Sequence, residues 1–194
     1  MSVALWVVLG YLLGSVPFGI VITRALGLGD LRQIGSGNIG ATNVLRTGNR
    51  PAAAATLVLD AGKGAAAVGL ATWLGAPEAA PWAGLAAFLG HCFPVWLRFA
   101  GGKGVATFLG TVLALAWPVG LATCATWLVC AGVSRISSVG ALGAAALAPV
   151  WMAVLGHGGL VPVGVALAAV IAWRHRENIA RLRAGTEPRI GAKR

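Results

Sequence analysis

The sequence is dominated by apolar runs long enough to cross a lipid bilayer. A spanning helix needs about 20 predominantly apolar residues to cover a hydrocarbon core about 30 Å thick. Residues 2–23, 52–75, 80–99, 138–155 and 159–174 each read as one such run, interrupted by few charges. Residues 105–133 are too long for one span and short for two. Only 10% of the chain is charged and 58% is hydrophobic, against about 25% charged in soluble domains, so an ordinary soluble domain is excluded. The first basic residue is Arg24, with no basic n-region or early cleavage site before it. Residues 2–23 are therefore expected to remain as a first span and not to act as a signal peptide. The length suits a single membrane-embedded domain over residues 1–194.

Basic residues then set the topology. If the long run turns at Trp117-Pro118, seven spans result and the connections alternate. Residues 24–50 hold four Arg, 98–104 hold Arg98 and Lys103, 134–137 hold Arg135, and the tail from 174 holds seven Lys or Arg. The connections at 76–80, 117–119 and 156–159 hold none. Every basic connection lies on one side, which the positive-inside rule makes cytoplasmic. The expected fold is an all-α membrane protein of seven transmembrane helices, N-terminus outside and C-terminus cytoplasmic. Its fourth helix would be short, and Pro149 would kink the sixth. Trp6, Trp73, Trp82, Trp96, Trp117 and Trp173 fall near the expected helix ends, as interfacial belts require. The net charge of +10 fits this topology and an attraction to anionic lipid or phosphorylated substrates better than it fits nucleic acid. Cys92, Cys124 and Cys130 are odd in number, lack CxxC spacing and lie in apolar runs, so they are expected to be free.

The polar residues collect on the cytoplasmic side of this topology, whereas a pore or pump would string them across the midplane. "GSGNIGATNVLR" (35–46) reads as a loop in which glycines let backbone N–H groups converge on an anion, with Arg46 as a bidentate clamp; a plain connector is the bland alternative. "LDAGKGA" (59–65) sets Asp60 and Lys63 three apart on one helical face, either as a structural ion pair or as part of a site. "GGKGVAT" (101–107) puts Lys103 among glycines at a helix entrance, with Thr107 one turn on. Gly101, Gly102 and Gly104 are expected to leave N–H groups unshielded at the positive end of the helix dipole. His91 in "HCFPVWL" is a core histidine or a site residue. "RHRENIARLRAGTE" (174–187) reads as a basic amphipathic helix at the membrane surface, with His175 and Asn178 on one face. No metal-ligand cluster, no Ser/His/Asp triad spacing and no His-x4-Asp pattern is visible. A transporter for a phosphorylated anion and a non-catalytic lipid-binding scaffold are the competing classes.

Taken together, "GSGNIGATNVLR", "LDAGKG", "HCFPVWLRFAGGKGVAT" and "RHRENIARLRAGTE" resemble the bacterial acyl-phosphate:glycerol-3-phosphate acyltransferases, the PlsY family. The four motifs occur in order over nearly the whole chain. The resemblance implies acyl transfer from a fatty acyl phosphate to the 1-hydroxyl of sn-glycerol 3-phosphate, with lysophosphatidate and inorganic phosphate as products. It implies no cofactor and no metal. The partners would be the two substrates and membrane lipid, with no nucleic acid. The site would face the cytoplasm from the bacterial inner membrane. Carried over residue by residue, catalytic roles would fall on Ser36, Asn38, Arg46, Asp60, Lys103, His175 and Asn178. Substrate binding would fall on Asn43, Lys63, His91, Gly101, Gly102, Gly104, Thr107, Ser138 and Glu187, with Ser137 the alternative to Ser138. Because inorganic phosphate leaves readily, a substrate phosphate, whose second pKa is near 6, is expected to take the hydroxyl proton. Asp60 would then orient Lys63 or neighbouring backbone, and His175 and Asn178 would position glycerol 3-phosphate.

Overall fold

The computed structural model describes residues 2–191, and among them all regular structure is helical. The helices are α1 (Val3–Gly14), α2 (Phe18–Ala25), a single turn α3 (Ala41–Val44), α4 (Arg50–Trp73), α5 (Ala80–Cys92), α6 (Val105–Leu115), α7 (Trp117–Ser134), α8 (Ser137–Val154), α9 (Val161–Arg174) and α10 (Arg176–Arg183). Short 3₁₀ turns join several of them. By length and hydropathy five segments can cross a membrane: Val3–Ala25, Arg50–Trp73, Pro77–Leu97, Trp117–Ser134 and Ser137–Val154. A sixth is formed if α9 and α10, bent by 61° at their junction, are taken as one. At 11 residues α6 is about 16 Å long. A helix break falls beside Trp117-Pro118: α6 stops before Ala116, and Pro118 sits in the first turn of α7, where its missing N–H costs nothing.

The chain forms two compact units, Met1–Leu115 and Ala116–Arg194. In the first, α1 packs along α5, and α4 packs on α5 and α6. Small residues make these contacts. A Cβ on Gly10 or Gly14 would overlap the backbone of Ala83 or Ala87 in α5, so the two helices meet backbone to backbone, as membrane helices without a hydrophobic driving force do. One end of this unit is apolar: Trp6, Ala67, Val68, Ala71, Ala76, Ala79, Ala80, Ala83 and Ala87 form its core. Trp6 is thus buried against small side chains and is no interfacial anchor, whereas Trp73, Trp82, Trp96, Trp117 and Trp173 are exposed as expected. The first apolar run is also not one helix. It breaks at 15–17, where Pro17 cannot continue the ladder of α1.

In the second unit α8 packs on both α7 and α9. α8 runs through Pro149. Arg135 closes α7 in the left-handed region (φ 57°), and its carbonyl accepts a 2.7 Å hydrogen bond from the Ile190 N–H, which fastens the tail to the α7–α8 turn. Cys92 is buried, Cys124 and Cys130 are half-buried, and all three are free thiols.

Candidate active site

The 35–46 stretch is better ordered than a plain connector, and Asn43 is what orders it. Its side chain is buried, donates to the carbonyls of Leu31 and Ile34 (2.9 Å each), and accepts from Arg46 Nη1 (3.0 Å) and from the Ser36 N–H (3.4 Å). An amide offers two donors and two acceptor sites, so all four are used. Asn43 thereby joins Leu31, Ile34, Ser36 and Arg46. The expectation of an all-loop stretch is corrected: 41–44 is a helical turn, which carries Asn43 back beneath the loop. Arg46 is exposed, and the same guanidinium nitrogen also donates to Ser36 Oγ at 3.2 Å. Asn38 is half-buried beside it in sequence, with no side-chain hydrogen bond among the described residues.

Asp60 and Lys63 resolve in favour of the structural ion pair. Lys63 Nζ lies 2.9 Å from Asp60 Oδ1, with both side chains almost wholly buried. It also donates to the Val16 carbonyl at 2.8 Å and sits 5.7 Å from the Phe18 ring centroid, within cation–π range. Val16 lies in the break between α1 and α2, and the ammonium adds a second donor to a carbonyl that also accepts from the Phe18 N–H at 3.2 Å. Lys63 thus braces Asp60 and the Val16 carbonyl. His91, at the end of α5, brings Nδ1 to 3.5 Å from the same Asp60 oxygen.

The glycines of 101–104 work differently from the expected anion nest. Gly101 N–H donates to the Cys92 carbonyl (3.2 Å) and Gly102 N–H to the His91 carbonyl (3.0 Å), so both groups are spent inside the protein. What these glycines supply is closeness: a Cβ on Gly102 would collide with the His91 ring, and one on Gly101 with the His91 carbonyl and the Pro94 ring. Gly104 has φ 78° and its carbonyl accepts the hydrogen bond that opens the ladder of α6, from the Phe108 N–H at 2.8 Å. Lys103 is thus held between two fixed points, half-buried at the head of α6. Thr107 is fully buried at the crossing of α6 with α4, where Gly64 allows the two backbones to approach.

In the second unit Glu187 gathers Ser138, Asn178 and Arg181. Its Oε1 accepts from Ser138 Oγ (2.7 Å) and Asn178 Nδ2 (2.5 Å), and its Oε2 accepts from Arg181 Nε (2.7 Å). Ser138, and not Ser137, is the serine that joins this cluster. Glu187 thus ties α10 to the start of α8. His175 stands at the bend between α9 and α10, with Nδ1 2.8 Å from the Ile171 carbonyl. A carbonyl only accepts, so Nδ1 carries the hydrogen, and in the neutral ring Nε2 holds the lone pair.

Burial works to raise the Glu187 carboxyl, but the hydrogen bonds from Asn178, Ser138 and Arg181 outweigh it and hold the group below the ordinary glutamate range. A depressed carboxylate contributes stability above its unfolded pKa and loses it as the pH falls through the folded value. Purified protein is therefore expected to lose melting temperature as the pH drops below the ordinary glutamate range. Glu187→Gln should be less stable at neutral pH, by about a few °C, and should flatten that dependence. Parallel stability–pH curves for the two proteins would show that the carboxylate braces nothing.

Comparison with known proteins shows the family. Residues 4–185 match the family model described as glycerol-3-phosphate acyltransferase. The chain belongs to the glycerol-3-phosphate acyltransferase family. A glycerol-3-phosphate acyltransferase of Cereibacter sphaeroides is 68% identical over 186 residues, covering 96% of this chain and 89% of that protein. One from Ruegeria sp. is 70% identical over 188 residues, covering 97% and 93%. Two crystal structures of PlsY, an integral membrane glycerol 3-phosphate acyltransferase, superpose with TM-scores of 0.92 and 0.91 at 38% and 37% identity, over 98% of this chain and 96% of theirs. One is the glycerol 3-phosphate form and the other the lysophosphatidic acid form. This family member is thus an all-helical integral membrane protein.

Sequence reasoning missed three contributors to these clusters. Tyr11 donates to the Phe93 carbonyl at 2.7 Å; it is the lone tyrosine of the chain, in an otherwise apolar helix, and that was its signal. Val16 acts through its backbone and was marked by the Ser-Val-Pro break. Arg181 was merged with the other tail arginines, although it pairs with Glu187 six residues on.

Proposed function

We propose that this protein transfers a fatty acyl group from acyl phosphate to the 1-hydroxyl of sn-glycerol 3-phosphate, in the bacterial cytoplasmic membrane, with residues 1–194 as one catalytic domain. The observation that carries this is the likeness, over nearly the whole chain, to PlsY in a glycerol 3-phosphate form and in a lysophosphatidic acid form, the acceptor and the product of that reaction. The hydroxyl oxygen attacks the acyl carbonyl, the bond from that carbon to the phosphate oxygen breaks, and inorganic phosphate leaves with its electron pair. Such a reaction needs positioned substrates, neutralised phosphates and a stabilised oxyanion more than a strong nucleophile.

The cationic groups fit these tasks. Lys103, fixed between Gly102 and Gly104 at the positive end of α6, clamps a phosphate. Arg46, presented by Ser36 and Asn43 with Asn38 nearby, clamps another. His175 and Asn178, with Ser138 steadied by Glu187, position glycerol 3-phosphate. Asp60 orients Lys63 and His91 and stands behind the site without touching substrate. The hydroxyl proton passes to a substrate phosphate. Among the side chains His175 is the competing acceptor, because Asp60 is turned to Lys63 and both Glu187 oxygens are engaged.

Guanidinium geometry makes a direct test. Lysine keeps the charge of Arg46 but cannot grip phosphate with a planar fork, so Arg46→Lys should raise the KM for glycerol 3-phosphate about tenfold or more. Equal KM values would make Arg46 a surface charge only.

In the membrane we infer seven spans, N-terminus outside, with α6 as a short fourth span and α9 as the seventh; the alternation of basic connections supports this. In a cysteine-free background, cysteines at 48 and 185 should be shielded from impermeant reagents in intact cells, and those at 78 and 157 should react. Labelling of 185 from outside would contradict the orientation.

A further inference from the structure

The chain between α5 and Lys103 is a small closed loop with an unusual surface. Residues 93–100 leave the end of α5 and return to it. The feet are tied by Gly101 N–H to Cys92 O and Gly102 N–H to His91 O, and the base by Tyr11 Oη–H to Phe93 O. Inside the loop, the N–H groups of Leu97 and Phe99 both donate to the Pro94 carbonyl (3.0 Å each), and Ala100 N–H donates to Leu97 O (3.0 Å). Arg98 and Phe99 are consecutive non-glycine residues in the left-handed region, at φ 51° and 62°. Only one other described non-glycine residue, Arg135, adopts positive φ. L-residues avoid this conformation, and strain of this kind persists where the surroundings enforce it, often at ligand clamps.

The strain buys a particular display. Trp96 and Phe99 are about 60% exposed and Val95 is 42% exposed, with the exposed Arg98 between them. Aromatic side chains are at home at a membrane surface; here three large apolar side chains flank an exposed cation within five residues. An amphiphile with an anionic head and an apolar tail is complementary to that display. The loop ends three residues before Lys103.

We propose that the 93–100 loop is the boarding surface for the acyl phosphate donor. The donor moves laterally in the bilayer, Val95, Trp96 and Phe99 lie against its acyl chain, Arg98 meets its phosphate, and the loop delivers that phosphate to Lys103. This rests on the acyltransferase function proposed above and adds the route by which the lipid substrate enters.

The test compares two donors in vesicles of the purified enzyme: palmitoyl phosphate dissolved in the bilayer and octanoyl phosphate supplied from water. For Trp96→Ala/Phe99→Ala, the ratio of the KM for palmitoyl phosphate to the KM for octanoyl phosphate should rise about tenfold, the scale of losing part of one buried aromatic contact. A second measurement does not depend on turnover. A spin label at Trp96→Cys, in a cysteine-free background, should collide with membrane-dissolved oxygen more often than with an aqueous nickel chelate. An unchanged ratio, an equal rise for both donors, or a label that meets mainly the aqueous chelate overturns the boarding surface and leaves the acyltransferase function standing. Absence of acyl transfer by the wild-type enzyme with either donor overturns both.

Discussion

Lys103→Ala is expected to lower kcat/KM for acyl phosphate by about 10²–10³, the range found when one positioned donor to a developing charge is removed. The physical reason is the setting of this lysine. His91 packs on bare Gly102, the Gly102 N–H is bonded to the His91 carbonyl, and the Gly104 carbonyl accepts from the Phe108 N–H in the first turn of α6. The backbone of Lys103 is therefore fixed before any substrate arrives, so that little reorganisation opposes the clamp. Lys103 is half-buried at a helix entrance and outside the apolar core, so the melting temperature should move little. Steady-state kinetics on folded Lys103→Ala protein measures this, and normal kinetics would remove the lysine from the site.

The second large effect is expected on stability. Lys63→Met removes the cation from Asp60 and the donor from the Val16 carbonyl while keeping the length of the side chain. A buried ion pair broken on one side costs about 3–5 kcal/mol, which is a fall of about 10 °C in melting temperature for a chain of this size. The paired change Asp60→Asn/Lys63→Met leaves no unpaired charge and should recover much of the loss, a coupling that neighbours in contact display. The double variant also separates bracing from chemistry. If Asp60 were the general base, the recovered protein would still lack about 10²–10⁴ of its kcat. If Asp60 is a brace, activity should return together with stability.

Much of this molecule was legible in its sequence because lipid imposes simple rules. Run length and the positions of Lys and Arg located the helices to within a few residues, and the choice of Trp117-Pro118 as a turn followed from charge alternation alone. The motifs marked the residues around which the polar clusters form. Their division of labour was not legible, because it depends on hydrogen-bond capacity. Asn43, Lys63 and Glu187 look like ligands in sequence, and each turns out to spend its polar atoms on neighbours. Gly101 and Gly102 look like a phosphate loop, yet their N–H groups close a loop onto α5 through the carbonyls of Cys92 and His91, partners that spacing does not reveal. Trp6 looked interfacial by position. Its burial depends on alanines in α4 and α5 that only the packing brings together.

The most direct test of the central claim is product formation by the purified protein in lipid vesicles, with palmitoyl phosphate and radiolabelled glycerol 3-phosphate as the only substrates and a chelator present. Lysophosphatidate and inorganic phosphate should appear in equal amounts, and palmitoyl-CoA should not replace palmitoyl phosphate. No lysophosphatidate from folded protein, or lysophosphatidate made from the CoA thioester alone, would contradict the account.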